Sequence, residues 1–218
     1  MVLKMKELAL FQVAVQDGAT GFMTVQEGMD SRFPELFSEL SQTTEAPNRA
    51  VASSIFMRRF GFFITAQLYL LAHGKMWDGK LENVHMVKTP GGISFAVDEQ
   101  FLRERRDGDL ETVLKEYAMP VVEAFRKIGH VSKLILWENI WGYSIWMYGM
   151  QDSPQAERDV ESLMDAALWQ PEMRKSFFHQ FLGGCTFSEA KSDYKRITCC
   201  LLKEVPGTDK CPYCPMAK

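Results

Sequence analysis

The stretch from Asn48 to His73 limits the fold of this chain more than any other. Pro47 precedes it and Gly74 follows it, the punctuation of a helix that starts and stops there. From Phe60 onward apolar side chains occupy nearly every face, so the helix is satisfied only when neighbours enclose it on all sides. Its most apolar portion, Phe60 to Ala72, is interrupted by Gln67 and preceded by Arg58 and Arg59. That portion falls short of the ~20 residues needed to span a bilayer. The reading is a buried central helix, with no transmembrane segment, wrapped by a body of other helices.

The rest of the chain offers the wrapping. Ser31 is placed to cap a helix with Pro34 in its first turn and Leu36, Phe37 and Leu40 at helical spacing. Helical spacing returns from Asp109 to Ile128, with Pro120 expected to kink or divide it, and again from Lys133 to Met150. Ser153-Pro154 reads as the start of a helix from Gln155 to Leu168, and Pro171 as the start of one through Phe181. Between them the pattern changes period. Val84 and Met86, the turn Pro90-Gly91-Gly92, then Ile93, Phe95 and Val97 in alternation predict a β-hairpin within 80–97. Residues 1–15 read as a short helix or strand and 16–30 mostly as loop. The expected fold class is α+β, mainly helical. Gly183-Gly184 is the one plausible seam, dividing a body of residues 1–184 from a segment of residues 185–218.

Composition narrows the function classes. The chain has 218 residues, 46% hydrophobic and 24% charged, with a formal net charge of −3. These are ordinary values for a soluble globular protein, and they give no electrostatic reason to expect nucleic acid. The amino terminus has lysines but no apolar run of useful length, so no signal peptide is expected and the protein reads as cytoplasmic. The four histidines share no short ligand spacing, and no P-loop, G-x-G-x-x-G or Ser/His/Asp signature is present.

Chemistry concentrates at the end. Of five cysteines, Cys199, Cys200, Cys211 and Cys214 fall within the last twenty residues. An odd count gathered in one tail argues against a secreted disulfide framework. Four thiolates enclose one soft metal centre, and both structural zinc and a [2Fe-2S] cluster take such a set. Zinc sites usually show two C-x2-4-C knuckles, for which the vicinal pair Cys199-Cys200 is a poor substitute. In an extended chain those two side chains point to opposite faces, so a local bend is required, and Pro206-Gly207 offers the reversal between the pairs. Cys211-Pro212-Tyr213-Cys214 also spells a glutaredoxin-like redox motif, but the helix that must follow it has no room before Lys218. Cys185 stands apart and reads as a small hydrophobe.

The pattern Cys199-Cys200, ten residues, Cys211, two residues, Cys214 is similar to the carboxyl terminus of the FhuF-type ferric siderophore reductases. The approach Tyr194-Lys195-Arg196-Ile197-Thr198 resembles the lead-in to that tail, and Leu136-Trp137-Glu138-Asn139-Ile140-Trp141-Gly142 resembles a Trp-x-Asn segment upstream. The resemblance implies a [2Fe-2S] cluster on Cys199, Cys200, Cys211 and Cys214 that passes one electron to a bound Fe(III)-siderophore and so releases Fe(II). It implies an external electron donor, a ferredoxin-like protein or a flavin reductase. The alternative is a zinc-stabilised binding module without redox activity. Arg58, Arg59, Trp137, Trp141, Lys195 and Arg196 are the expected substrate contacts, with Tyr143 and Trp146 as further aromatic candidates. Lys195, Arg196 and Lys210 are the charges expected to favour a reduced cluster.

Overall fold

A computed structural model describes residues 5–216. A 3-10 turn, Met5–Phe11, leads to strand β1 (Val13–Gln16), strand β2 (Met23–Thr24), helix α1 (Val25–Met29) and helix α2 (Phe33–Thr44). The long helix α3 (Arg49–Ala72) is followed by four strands, β3 (Lys75–Trp77), β4 (Val84–Thr89), β5 (Gly92–Asp98) and β6 (Leu102–Glu104). Helix α4 (Asp109–Thr112) runs through a π-helical segment, Val113–Ala118, into α5 (Met119–Gly129). Then come α6 (Lys133–Gly149), α7 (Pro154–Met164), α8 (Phe177–Phe181) and α9 (Phe187–Ser192). The fold is α+β and mainly helical.

Helix α3 is the axis. Asn48 caps it, its side-chain oxygen accepting the Val51 N–H at 3.0 Å. Phe56, Phe60 and Phe63 are each 0% exposed, and burying a Phe side chain contributes about 1.5–3 kcal/mol. Phe56 stacks on Phe125 of α5 at 4.1 Å between ring centres, and all three rings contact Phe95 of β5. By length and composition α3 is long and apolar enough to cross a membrane, but 78% of its most apolar window is buried inside the protein. Helix α6 lies against it, and Gly61 permits the approach. A Cβ there would come within 2.9 Å of the Asn139 carbonyl oxygen.

The expected hairpin is β4–β5, closed by Thr89 opposite Gly92. It sits in a larger sheet than the alternation predicts, ordered β1-β5-β4-β2, with β1 parallel to β5 and the other pairs antiparallel. Residues 16–30 therefore hold β2 and α1 and are not mostly loop. Strands β3 and β6 make a separate antiparallel pair.

Pro120 acts as expected. The ladder widens to π-helix just before α5, where the proline ring and missing N–H disrupt regular α hydrogen bonding. Three boundaries differ from the sequence reading. Arg32, not Ser31, occupies the cap position of α2, without a side-chain cap bond. Helix α7 stops at Met164 because Asp165 turns extended and caps a 3-10 turn, Ala166–Trp169. Pro171 starts no helix. Helix α8 begins at Phe177, where the Ser176 hydroxyl accepts the His179 N–H at 2.9 Å.

Two ion pairs fasten the body. Arg105 makes two bonds to Asp159 of α7, at 2.8 and 2.7 Å, and Arg103 makes two to Asp109, both 2.8 Å. Both carboxylates are buried, and this bidentate geometry is the strongest an Arg–Asp pair adopts.

Candidate metal centre and adjoining cavity

The close contact of α3 with α6 brings polar side chains from both helices to the cysteine tail. Asn139 donates its Nδ2 to the Ser54 hydroxyl and carbonyl, each at 3.0 Å, and Ser54 in turn donates to the carbonyl of Cys200 at 2.7 Å. One helical position earlier stands Glu138, fully buried. Its carboxylate accepts the backbone N–H groups of Ile197 and Thr198 at 2.7 and 2.8 Å, and the Thr198 hydroxyl as well. Tyr194 donates to it at 3.4 Å, and the Arg196 guanidinium lies at 3.4 Å. A buried carboxylate is stable only with such company. Glu138 thus fixes the five residues that run into Cys199. Burial, with the Glu138 charge close by, pushes the Tyr194 hydroxyl well above its ordinary range, so it stays protonated as a donor.

After the vicinal pair, Leu201 adopts φ +62, a left-handed conformation uncommon for a non-glycine residue. The bend follows the vicinal pair and turns the chain away from Cys200. The Leu201 N–H donates to the Cys199 sulfur at 3.4 Å. A 3-10 turn, Leu202–Glu204, and Gly207 at φ +72 reverse the chain. Cys214 donates its N–H to the Cys211 carbonyl at 3.0 Å, closing the C-x2-C turn, and Arg196 donates its backbone N–H to Tyr213 at 3.1 Å. The two halves of the tail are tied together.

Cys200 and Cys214 are buried, Cys199 and Cys211 half-buried, Cys185 exposed, and none is in a disulfide. The sulfurs of Cys200 and Cys211 stand 4.0 Å apart. Two thiolates bound tetrahedrally to one metal at ~2.3 Å would lie roughly 3.8 Å apart, so this pair has the spacing of two ligands of one atom. Among the described residues no group of three or more His, Cys, Asp or Glu converges to metal-holding distance. Four unbridged thiols within one tail are the donor chemistry a thiolate-bound centre takes, and among them the Cys200 and Cys211 sulfurs stand at ligand spacing. Burial and the neighbouring Cys200 thiol push the Cys211 thiol above its ordinary range, which a bound metal would reverse by displacing the proton. Arg58 of α3 reaches 3.9 Å from the Cys200 sulfur and 3.4 Å from the Tyr143 hydroxyl. Burial works against its charge, but Tyr143 and the two thiols outweigh that and raise its pKa.

Beside these thiols opens a cavity of about 580 Å³. Cys200 and Cys211 form part of its wall, together with Arg58, Arg196 and Lys191. Phe62 and Tyr143, stacked at 4.1 Å, add an aromatic face, and Trp146, Tyr194 and Tyr213 add others. Gly142 makes room for the Tyr194 ring, which a Cβ there would meet at 3.3 Å.

Of the expected substrate contacts, Arg58 and Arg196 line this cavity, as do Tyr143 and Trp146. Trp137 and Trp141 do not. They are 1% and 0% exposed, packed edge-on to Trp169 and face-on to Phe178, so they are core and the substrate expectation for them is corrected. Arg59 points elsewhere, binding Gln12 and the Gly91 carbonyl at the sheet. Lys195 is exposed and paired with Asp193 at 3.0 Å, outside the cavity, and Lys210 donates to the Met216 carbonyl. The residues missing from the sequence reading are Glu138 and Ser54 as tethers of the tail, and Lys191 in the cavity wall. Glu138 carried a signal: it is the sole charge between Leu134 and Gly149 of an apolar helix. No protein-family model and no curated protein matches the chain.

Proposed function

We propose that this protein is a ferric siderophore reductase, holding a [2Fe-2S] cluster on Cys199, Cys200, Cys211 and Cys214. The observation that supports this most is the juxtaposition of the Cys200 and Cys211 thiols, 4.0 Å apart, with a 580 Å³ cavity of aromatic and cationic lining. When bound, such a cluster supplies one electron at a time. The chain's own residues do the rest. Glu138, Ser54 and Asn139 hold the tail rigid, so the thiols keep their place as the charge changes. Arg58, with no carboxylate partner among the described residues, sets a positive charge against Cys200, which favours the more negative, reduced state. The cavity presents the ferric chelate to this edge.

Each turnover moves one electron to Fe(III), giving Fe(II), which oxygen donors hold more weakly and release. The electron is replaced by a separate donor, a ferredoxin-like protein or flavin reductase, in the cytoplasm. Anaerobic mixing of the dithionite-reduced, desalted protein with a ferric siderophore and a ferrous-specific chelator tests the reading. One Fe(II) trapped per cluster reoxidised is expected. A colourless zinc protein that traps no Fe(II) would leave the zinc-stabilised binding module as the answer.

A further inference from the structure

Two separate observations sort the four tail cysteines into the same two pairs. The Cys200 and Cys211 sulfurs stand 4.0 Å apart, close to the roughly 3.8 Å expected of two thiolates on one tetrahedral metal atom. Cys200 and Cys211 are also the two that form part of the cavity wall, and Cys199 and Cys214 are not among its lining residues. This pairing crosses the order of the chain, in which Cys199 adjoins Cys200 and a C-x2-C turn joins Cys211 to Cys214. Local geometry favours the crossing. Neighbouring side chains on extended backbone leave on opposite faces, which suits ligands of two different atoms better than ligands of one. The Leu201 N–H donates to the Cys199 sulfur at 3.4 Å, whereas Arg58 reaches the Cys200 sulfur at 3.9 Å, so the two neighbours are gripped by different groups. In the C-x2-C turn, closed by the Cys214 N–H on the Cys211 carbonyl, Cys214 is buried and Cys211 is half-buried at the cavity.

From these pairs we infer that Cys200 and Cys211 hold one iron of the cluster, on the cavity side, and that Cys199 and Cys214 hold the other. This rests on the reductase reading for the presence of two irons, each of which takes two of the four thiolates. Ligands of different irons are separated by the distance between the metals as well as by their own bonds, so they stand farther apart than the Cys200 and Cys211 sulfurs do. Each half of the tail then contributes one ligand to each iron. The centre cross-links the two halves, and neither half alone completes a metal site. The iron on Cys200 and Cys211 is the one that faces a chelate in the cavity, and its two thiolates come from opposite halves.

Full-length variants that keep one pair at a time test the assignment, with cadmium(II) as the probe. Cd(II) is a soft ion that takes thiolates, and its thiolate charge-transfer absorption in the ultraviolet reports binding against a competing chelator. Cys199→Ala/Cys214→Ala keeps Cys200 and Cys211, and Cys199→Ala/Cys200→Ala keeps the C-x2-C pair. The first should bind one Cd(II) per chain about tenfold more tightly than the second, because its thiols are already in place. Equal or tighter binding by the C-x2-C variant overturns the inference. Phenylarsine oxide on the unsubstituted, reduced, metal-free protein gives an answer that does not depend on how the variants fold. Its arsenic condenses with two thiols, forming two As–S bonds and releasing one water. Fragmentation mass spectrometry should find arsenic joining Cys200 to Cys211, and arsenic joining Cys211 to Cys214 overturns the inference. Two iron and two sulfide in the native protein, with arsenic on Cys211 and Cys214, sinks the pairing and keeps the reductase. One zinc and no sulfide, with arsenic on Cys200 and Cys211, keeps those two thiols on one atom and sinks the reductase.

Discussion

Two buried carboxylates, Asp109 in the body and Glu138 under the tail, are used in different ways. Asp109 meets the Arg103 guanidinium through two bonds at 2.8 Å and the Arg106 N–H, all within six residues of sequence. It reinforces a body already held by apolar area, with α3 enclosed by helices and sheet. Glu138 meets neutral groups first: two backbone N–H groups and two hydroxyls, all from residues 194–198. Its bonds cross from the body to the approach to the cysteines, within a segment that also packs Phe187, Ala190, Leu202 and Val205 against the core. The lesson is that directional bonds to Glu138 set the course of the chain into Cys199, whereas the bonds of Asp109 stay within the body. Loss of a tether should therefore release the cysteines and spare the core.

The largest effect is expected inside the tail itself. Cys200→Ser should abolish the cluster chromophore altogether, whereas Cys185→Ala, at the exposed cysteine, should leave it intact. Anaerobic absorption spectra check both. A native spectrum in Cys200→Ser would break the four-ligand assignment. Next comes the tether. Glu138→Ala strands buried N–H donors and Arg196, at a cost of about 3–5 kcal/mol to docking of the tail. Metal content should fall sharply while far-ultraviolet circular dichroism stays near native. Collapse of the whole fold would erase the distinction between the two regions.

The smallest effect belongs to the body. Burial raises the Asp109 pKa, but the Arg103 bonds and the Arg106 N–H outweigh it and hold the carboxyl below its usual range. A depressed carboxyl stabilises the fold above its unfolded pKa of about 3.9 and loses that contribution as pH falls through the lower folded value. Asp109→Asn should therefore cost about 2 kcal/mol at neutral pH, with the difference from the native protein shrinking below about pH 4. Denaturant midpoints at both pH values check this, and the metal-to-protein ratio of the folded fraction should not change.

The sequence pattern made the body more legible than the site. Pro47, Gly74 and an all-round apolar surface announce α3 because helix ends and helix burial leave local marks. The β4–β5 hairpin is local too. The pairing of Val13 with Phe95 is not: it joins distant segments through a strand too short to display a period. Trp137 and Trp141 illustrate a different limit. An aromatic at helical spacing looks the same whether it faces a ligand or Trp169 and Phe178, and only packing decides. The cysteines were legible as donors. Their tethers were not, apart from the lone charge of Glu138, since Ser54 is an ordinary residue in an apolar helix until Cys200 arrives beside it.

The central claim is that the tethered tail encloses an iron–sulfur centre. It is tested most directly by iron, zinc and acid-labile sulfide analysis of anaerobically purified protein, with its visible spectrum. Two iron and two sulfide per chain, with charge-transfer absorption bleached by dithionite, is the expected result. One zinc per chain, no sulfide and no visible absorption would contradict it.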